Sequence, residues 1–266
     1  MLYDPFTLEK LREWRAWDPA VQSTYAPFGR RVKFTDVSIR EAVWLLRPEF
    51  PSHHRVFENL RGRVQSFFPS PCFFRLSTRS PKDAWRSLDA DLGIDPEQDD
   101  ASERDRKYEQ QMRLLRVKSF EDVLRLLRSS ERCTDDLQMF VEKEMKEKKG
   151  GTCARMKLVF IEWNEDMATR AVRSELRCFV RRRKLIAKCP CMISLFTVPN
   201  EFIPEINVDL HVIEAYMESL AILTEFDDFV ADVFVRSPTC FDLVEMNEFD
   251  EFTDPVAFDW NDLMST

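Results

Sequence analysis

Asp232, Glu245 and Asn247 are the residues of this 266-residue sequence whose types and spacing best suit metal chemistry. They interrupt two otherwise apolar β-type runs, residues 229–235 and 241–247, which flank a polar turn holding Ser237, Pro238 and Thr239. Side chains alternate across a strand, so Glu245 and Asn247 share one face. A loop over 237–240 pairs Arg236 with Phe241 and sets Asp232 opposite Glu245 on that same face. Three hard oxygen donors in one hairpin suit magnesium, which keeps several waters and bridges to phosphate. The plainer alternative is a solvated acidic hairpin near a chain end.

Cationic residues suggest an anion partner. Arg75 lies inside the apolar run CFFRL, Cys72–Leu76, which is odd for a core strand unless its guanidinium emerges into a cleft. The polar loop after it, residues 77–83, adds Arg79 and Lys82 with the hydroxyls of Ser77, Thr78 and Ser80. Hydroxyls, cations and backbone amides after a strand form a generic anion site. The loop has no glycine, so it is not a Walker-type loop. Its alternative reading is structural, with Ser80-Pro81 opening a helix at Lys82. Arg177 lies in an alternating run over 174–180, on one face with Glu175, as a satisfied ion pair or as a cleft residue.

Cysteine and histidine chemistry is weaker. The seven cysteines are scattered, and Cys189-Pro190-Cys191 is tighter than the usual CxxC zinc spacing. They read as reduced packing thiols. None of the three histidines has a recognisable spacing from a cysteine, so thiol-based hydrolysis is disfavoured.

Net charge is −8, unevenly spread. Residues 225–262 hold twelve acidic residues against Arg236 alone, leaving 38 basic and 35 acidic residues elsewhere. That acidic end repels nucleic acid, so direct nucleic-acid binding is not expected. Arg181-Arg182-Arg183-Lys184 reads as a solvated turn or a phosphate site. No apolar run reaches the roughly 20 residues of a membrane helix. The first residues match neither a signal peptide nor a transit peptide, so a cytoplasmic protein is expected.

The elements that must position these residues follow in order. Residues 1–20 suggest a short helix. A loop and short strand span 27–37, and Ser38 opens a helix that Pro48 stops. Residues 56–68 are a second helical stretch, followed by the strand Cys72–Leu76. Residues 89–118 are charge-dense and read as a partly disordered insertion. Ser119 caps a clear helix, while 142–151 reads as a mobile Lys/Glu-rich segment. Residues 156–163 form a strand, 164–174 a polar connection, 174–180 a strand, and Leu185 begins its return. A helix over 207–226 precedes the acidic hairpin. The order is α+β, with expected halves of about 1–155 and 156–266.

Five blocks in order resemble the cell division cycle protein 123 family: FFRLSTRSPKDAW (73–85), LRLLRSSERCTDDL (124–137), LVFIEW (158–163), SELRCFV with the following LIA (174–187), and FVADVFV, DLVEMNEF and TDPVAFDW (229–260). The resemblance implies an ATP-grasp fold, two subdomains with a nucleotide cleft between antiparallel sheets. It implies ATP and Mg2+ as cofactors. It places Arg75 where the family has a phosphate-facing lysine, and Ser80 and Lys82 in the loop. Glu162 and Trp163 fall at the adenine hinge, Arg177 near the phosphates, and Asp232, Glu245 and Asn247 at the magnesium positions. Departures are Arg75 for lysine, Glu245 for the Asp of a D-F-N-P hairpin, Glu248 for its proline, and Lys188-Cys189 for Ser-Gln. They mark a divergent member.

By the same resemblance the chain is expected to be a monomeric, ATP-binding assembly chaperone. Its expected partner is the gamma subunit of translation initiation factor 2. An ATP-grasp ligase working through an acyl-phosphate is the first alternative. A nucleotide-free interaction protein is the second.

Overall fold

The computed structural model describes residues 32–88, 101–146, 156–191, 206–251 and 253–266. The helix suggested over 1–20 lies outside them. The chain divides into two compact units. The first includes Arg31–Gly93 and Gln110–Trp163, the second Ile94–Glu109 and Asn164–Thr266.

The first unit is built on an antiparallel sheet in the order β1-β4-β2-β3: β1 Val32–Val37, β2 Cys72–Leu76, β3 Arg116–Val117 and β4 Met156–Glu162. The strand that sequence reading put at the start of the C-terminal half thus belongs to the first sheet. Alternation decides its faces. Cys72, Phe74 and Leu76 of β2, with Met156, Leu158 and Phe160 of β4, enter the core, and Phe160 packs edge-on against Phe67 at 5.2 Å. Helices α1 Ile39–Leu45 and α2 Glu58–Gln65 pack on that side. Ser38 and Glu41 form a reciprocal capping box at the start of α1.

Sequence reading missed three helices because their composition is polar. The presumed insertion contains α4 Ala101–Leu114, following the short α3 Trp85–Leu88. After α5 Phe120–Ser129, capped by Ser119, comes α6 Glu131–Lys146, which takes in the start of the presumed mobile segment. The polar connection is α7 Glu165–Ser174. Glu, Arg, Lys and Gln are good helix formers, and a narrow apolar stripe is enough to seat such a helix. In α6 that stripe is Cys133, Leu137 and Phe140, all buried.

The second unit holds a sheet in the order β6-β5-β7-β8: β5 Glu175–Arg181, β6 Lys184–Pro190, β7 Phe229–Ser237 and β8 Cys240–Asn247. Helix α8 Leu210–Thr224, capped by Asp209, precedes β7. The β5–β6 turn places Arg182 and Arg183 at φ 50° and 65°. That conformation matches the strand twist but costs a non-glycine residue about 1 kcal/mol. Acids from the start of β7's approach hold it: Arg182 donates its N–H to Asp228 at 2.7 Å and Arg183 pairs with Asp227 at 2.5 Å. The basic run is thus a turn engaged by acidic residues. No described helix is long and apolar enough to cross a membrane.

Of the described cysteines, Cys240 is exposed and the rest are buried, without disulfides among them. Burial pushes the Cys133 thiol up to about 12 and Cys189 up to about 11, and also raises Cys72. The thiolate is the nucleophile, so these three should stay unmodified in the native state at mildly alkaline pH while Cys240 reacts. Peptide mapping after brief alkylation checks this. Modification of Cys133 as fast as Cys240 would contradict the burial.

Candidate functional site

A transverse row of side chains crosses the second sheet. Register pairs Cys189 with Arg177, Arg177 with Asp232, and Asp232 with Glu245. Asn247 lies two residues beyond Glu245, opposite Val230, and therefore on the same face. The pairing of Asp232 with Glu245 is the one expected from sequence, but the route differs. The loop is Pro238-Thr239, with Ser237 opposite Cys240 and Val235, not Arg236, opposite Phe241. A second irregularity between Asp232 and Val233 restores the register. Two offsets cancel, so the oxygen donors still align.

Asp232 is 0 % exposed. A buried carboxylate needs a compensating charge, and Arg177 supplies it as a fork. Its Nε donates to Oδ1 and its Nη2 to Oδ2, both at 2.8 Å. Burial opposes the guanidinium's charge, but Asp232, followed by Cys191 and Glu245, more than offsets this and leaves Arg177 raised above its ordinary value. Its Nη1 donates to the backbone oxygen of Asp254 at 2.7 Å. Each carboxylate oxygen has two lone pairs, so this fork leaves acceptor capacity on Asp232.

The chain after β8 folds over the neighbouring part of this face. Phe179, two residues beyond Arg177 on β5, meets Phe258 at 5.5 Å and Trp260 at 6.1 Å, both edge-on. Phe249 meets Trp260 at 5.1 Å. A short helix, α9 Trp260–Ser265, closes the chain, and Arg181 donates to the carbonyls of Leu263 and Met264. Val256 sits at φ 58°, an outlier for a β-branched residue, with its N–H bonded to Asp254 Oδ1 at 2.9 Å. That turn presents the Asp254 carbonyl to Arg177.

The remaining predicted residues lie on the first unit. Arg75 is 2 % exposed and pairs with Val159, on the face of β2 opposite Phe74. Glu162 pairs with Cys72, so it lies about 10 Å along the sheet from Arg75 and on the opposite face. Trp163 donates its N–H to Pro71 at 3.1 Å, and the Arg116 guanidinium stands 5.8 Å from its ring centre. Ser80 is buried in the turn after β2, and half-buried Lys82 begins a 3-10 helix, Lys82–Ala84. The helix-opening reading of Ser80-Pro81 therefore describes the local backbone.

Two other polar residues of that loop are structural. Arg79 pairs with buried Asp136 of α6 at 2.8 Å. Asp83 accepts from the Ser130 hydroxyl at 2.5 Å and from the Arg132 N–H at 3.1 Å, at the start of α6. They fix the loop that carries Ser80 and Lys82.

Sequence reasoning missed Lys157. It is buried on β4 beside the Val159 that faces Arg75, and its Nζ stands 5.6 Å from the Phe34 ring centre. The signal was available, since a lone cation inside MKLVFIEW is as anomalous as Arg75 inside CFFRL. Cys191 near Arg177 was also missed, because spacing rules along the chain do not see partners on adjacent strands.

The D123 family model matches residues 94–266, well over half the chain. The chain belongs to the D123 family. A Danio rerio member named "Translation initiation factor eIF2 assembly protein" is 27% identical over 223 residues, covering 82% of this chain and 53% of its own length. A protein of the same name from Schizosaccharomyces pombe is 30% identical over 157 residues, covering 57% of this chain and 46% of its own. The chain thus spans about half the length of these curated relatives. Among solved structures, Cdc123 from Schizosaccharomyces pombe aligns with a TM-score of 0.57 at 20% identity, over 91% of this chain and 87% of that one. Its C-terminally truncated form aligns at 0.62 and 17% identity, over 100% and 94%. At those identities the structures show a shared fold.

Proposed function

We propose that this D123-family chain binds ATP with magnesium and acts in the assembly of translation initiation factor 2, through its gamma subunit. The observation that carries the nucleotide part is the row Arg177–Asp232–Glu245 with Asn247 on the same face. Magnesium prefers hard oxygen donors, and these three residues offer carboxylate, carboxylate and amide oxygens from one hairpin. Bound with ATP, the ion would supply positive charge at the phosphates. Arg177 holds Asp232 in place and adds a fixed guanidinium beside it. Arg75, Lys82, Ser80 and Lys157 of the first unit are further candidate phosphate partners. Glu162 and Trp163 are the candidate adenine partners, as in an ATP-grasp-like arrangement.

The assembly part is supported by the names of the two sequence relatives. Binding without turnover suits an assembly factor, because ordering a loop by ligand binding can stabilise one partner-binding state. Titration calorimetry with Mg-ATP tests the nucleotide part. Micromolar binding to the wild type, lost in Asp232→Ala/Glu245→Ala, is expected. Failure of the wild type to bind would overturn it and leave an interaction protein on the same fold. Native mass spectrometry with purified gamma subunit tests the partner. A complex that forms with the gamma subunit alone supports it, and none with or without Mg-ATP refutes it.

A further inference from the structure

A thiol and two carboxylates converge beside the magnesium candidate. Glu175 precedes Arg177 by two residues on β5 and so lies on the same face. Cys191 follows Cys189 by two positions, just past β6, and Cys189 is paired with Arg177. Asp232 reaches in from β7. A carboxylate oxygen of Glu175, Sγ of Cys191 and a carboxylate oxygen of Asp232 all lie within 4.8 Å of one another. Their residues are 3 %, 8 % and 0 % exposed. The Cys-Pro-Cys spacing is too short for a zinc chelate from a loop. Here Cys191 alone joins the set, and the neighbouring strands β5 and β7 supply the carboxylates.

We propose that Glu175, Cys191 and Asp232 bind a thiophilic divalent cation of the zinc class. One thiolate sulfur with two carboxylate oxygens is a donor set for zinc or cobalt(II), whereas magnesium takes oxygen alone. Around a tetrahedral zinc such ligand atoms stand about 3.5 Å apart, which separations within 4.8 Å reach by small side-chain rotations. Three protein ligands leave a fourth position for water. Binding releases the Cys191 thiol proton to solvent, so affinity rises with pH. Asp232 belongs both to this set and to the all-oxygen set with Glu245 and Asn247. The two kinds of cation therefore compete for one carboxylate. The site does not depend on nucleotide binding.

Cobalt(II) is the probe, added to the full chain under reducing conditions. A near-ultraviolet thiolate-to-cobalt charge-transfer band is expected, saturating at a single ion per chain. It should vanish in Cys191→Ser and Glu175→Gln and survive in Cys240→Ser. No band in the wild type, or a band that survives Cys191→Ser, overturns the proposal. X-ray absorption of the zinc-loaded wild type guards against a misfolded variant. One sulfur with oxygen or nitrogen ligands is expected, and no sulfur, or two or more, refutes the site.

Discussion

Asp232→Ala destabilises the protein by about 3–5 kcal/mol, the usual cost of leaving one member of a buried ion pair without its partner. Arg177 keeps its charge and loses the carboxylate that accepted two hydrogen bonds at 2.8 Å. Glu245 is the next residue along the row and still favours the guanidinium, which points to the lower end of that range. Removing both charges has a different outcome. In Arg177→Met/Asp232→Leu neither member of the fork is left behind, so the loss should be smaller than in either single variant, although the buried Glu175 carboxylate beside them loses a neighbouring cation. Urea midpoints for the wild type, Arg177→Met, Asp232→Leu and the double variant give the coupling directly. Additive single and double effects would show that the fork does not form in solution. The double variant also separates fold from ligand, since it should fold and yet fail to bind Mg-ATP.

Phe179→Ala is of similar size, at about 3–5 kcal/mol for a fully buried aromatic whose cavity cannot collapse freely. The ring is 0 % exposed and seats both Phe258 and Trp260. Its removal should release the segment that covers this end of the sheet. Amide exchange reads this locally. The N–H groups of Val256, Phe258 and Leu263, bonded to Asp254, Pro255 and Asp259, should lose protection, while β7 and β8 keep theirs. Unchanged protection of those three amides would refute the packing role. The same segment supplies the Asp254 carbonyl to Arg177, so the proposed Mg-ATP binding should weaken through Arg177 without any change to the oxygen donors.

These two residues show how an ordinary core element supports the candidate site. Phe179 and Arg177 are neighbours on one face of β5, one apolar and one charged. The first anchors a turn that helps to orient the second. The strained Val256 fits the same view, because a β-branched residue in the left-handed region persists only where its surroundings over-determine it.

Sequence by itself determined the local elements with strong patterns. The strand Cys72–Leu76 and the caps at Ser38 and Ser119 follow from alternation and from side chains that accept the first free N–H groups of a helix. It also determined the family, because five blocks in order carry that information without any structure. Helices α4, α6 and α7 escaped, since charge-rich stretches read as loops until a core exists for their narrow apolar stripe. Only the tertiary structure decided which polar residues meet. Arg177 was legible as an odd charge in a strand, but not as the fork on Asp232, 55 residues away. Arg79 and Asp83 looked like members of an anion loop and prove to be ties to α6. Cys191 looked like half of an unsuitable motif and stands beside Glu175 and Asp232. The physical reason is the same in each case. Periodicity fixes which face a side chain takes within its own strand or helix, whereas the partner across that face is chosen by strand order and register, which depend on the whole sheet.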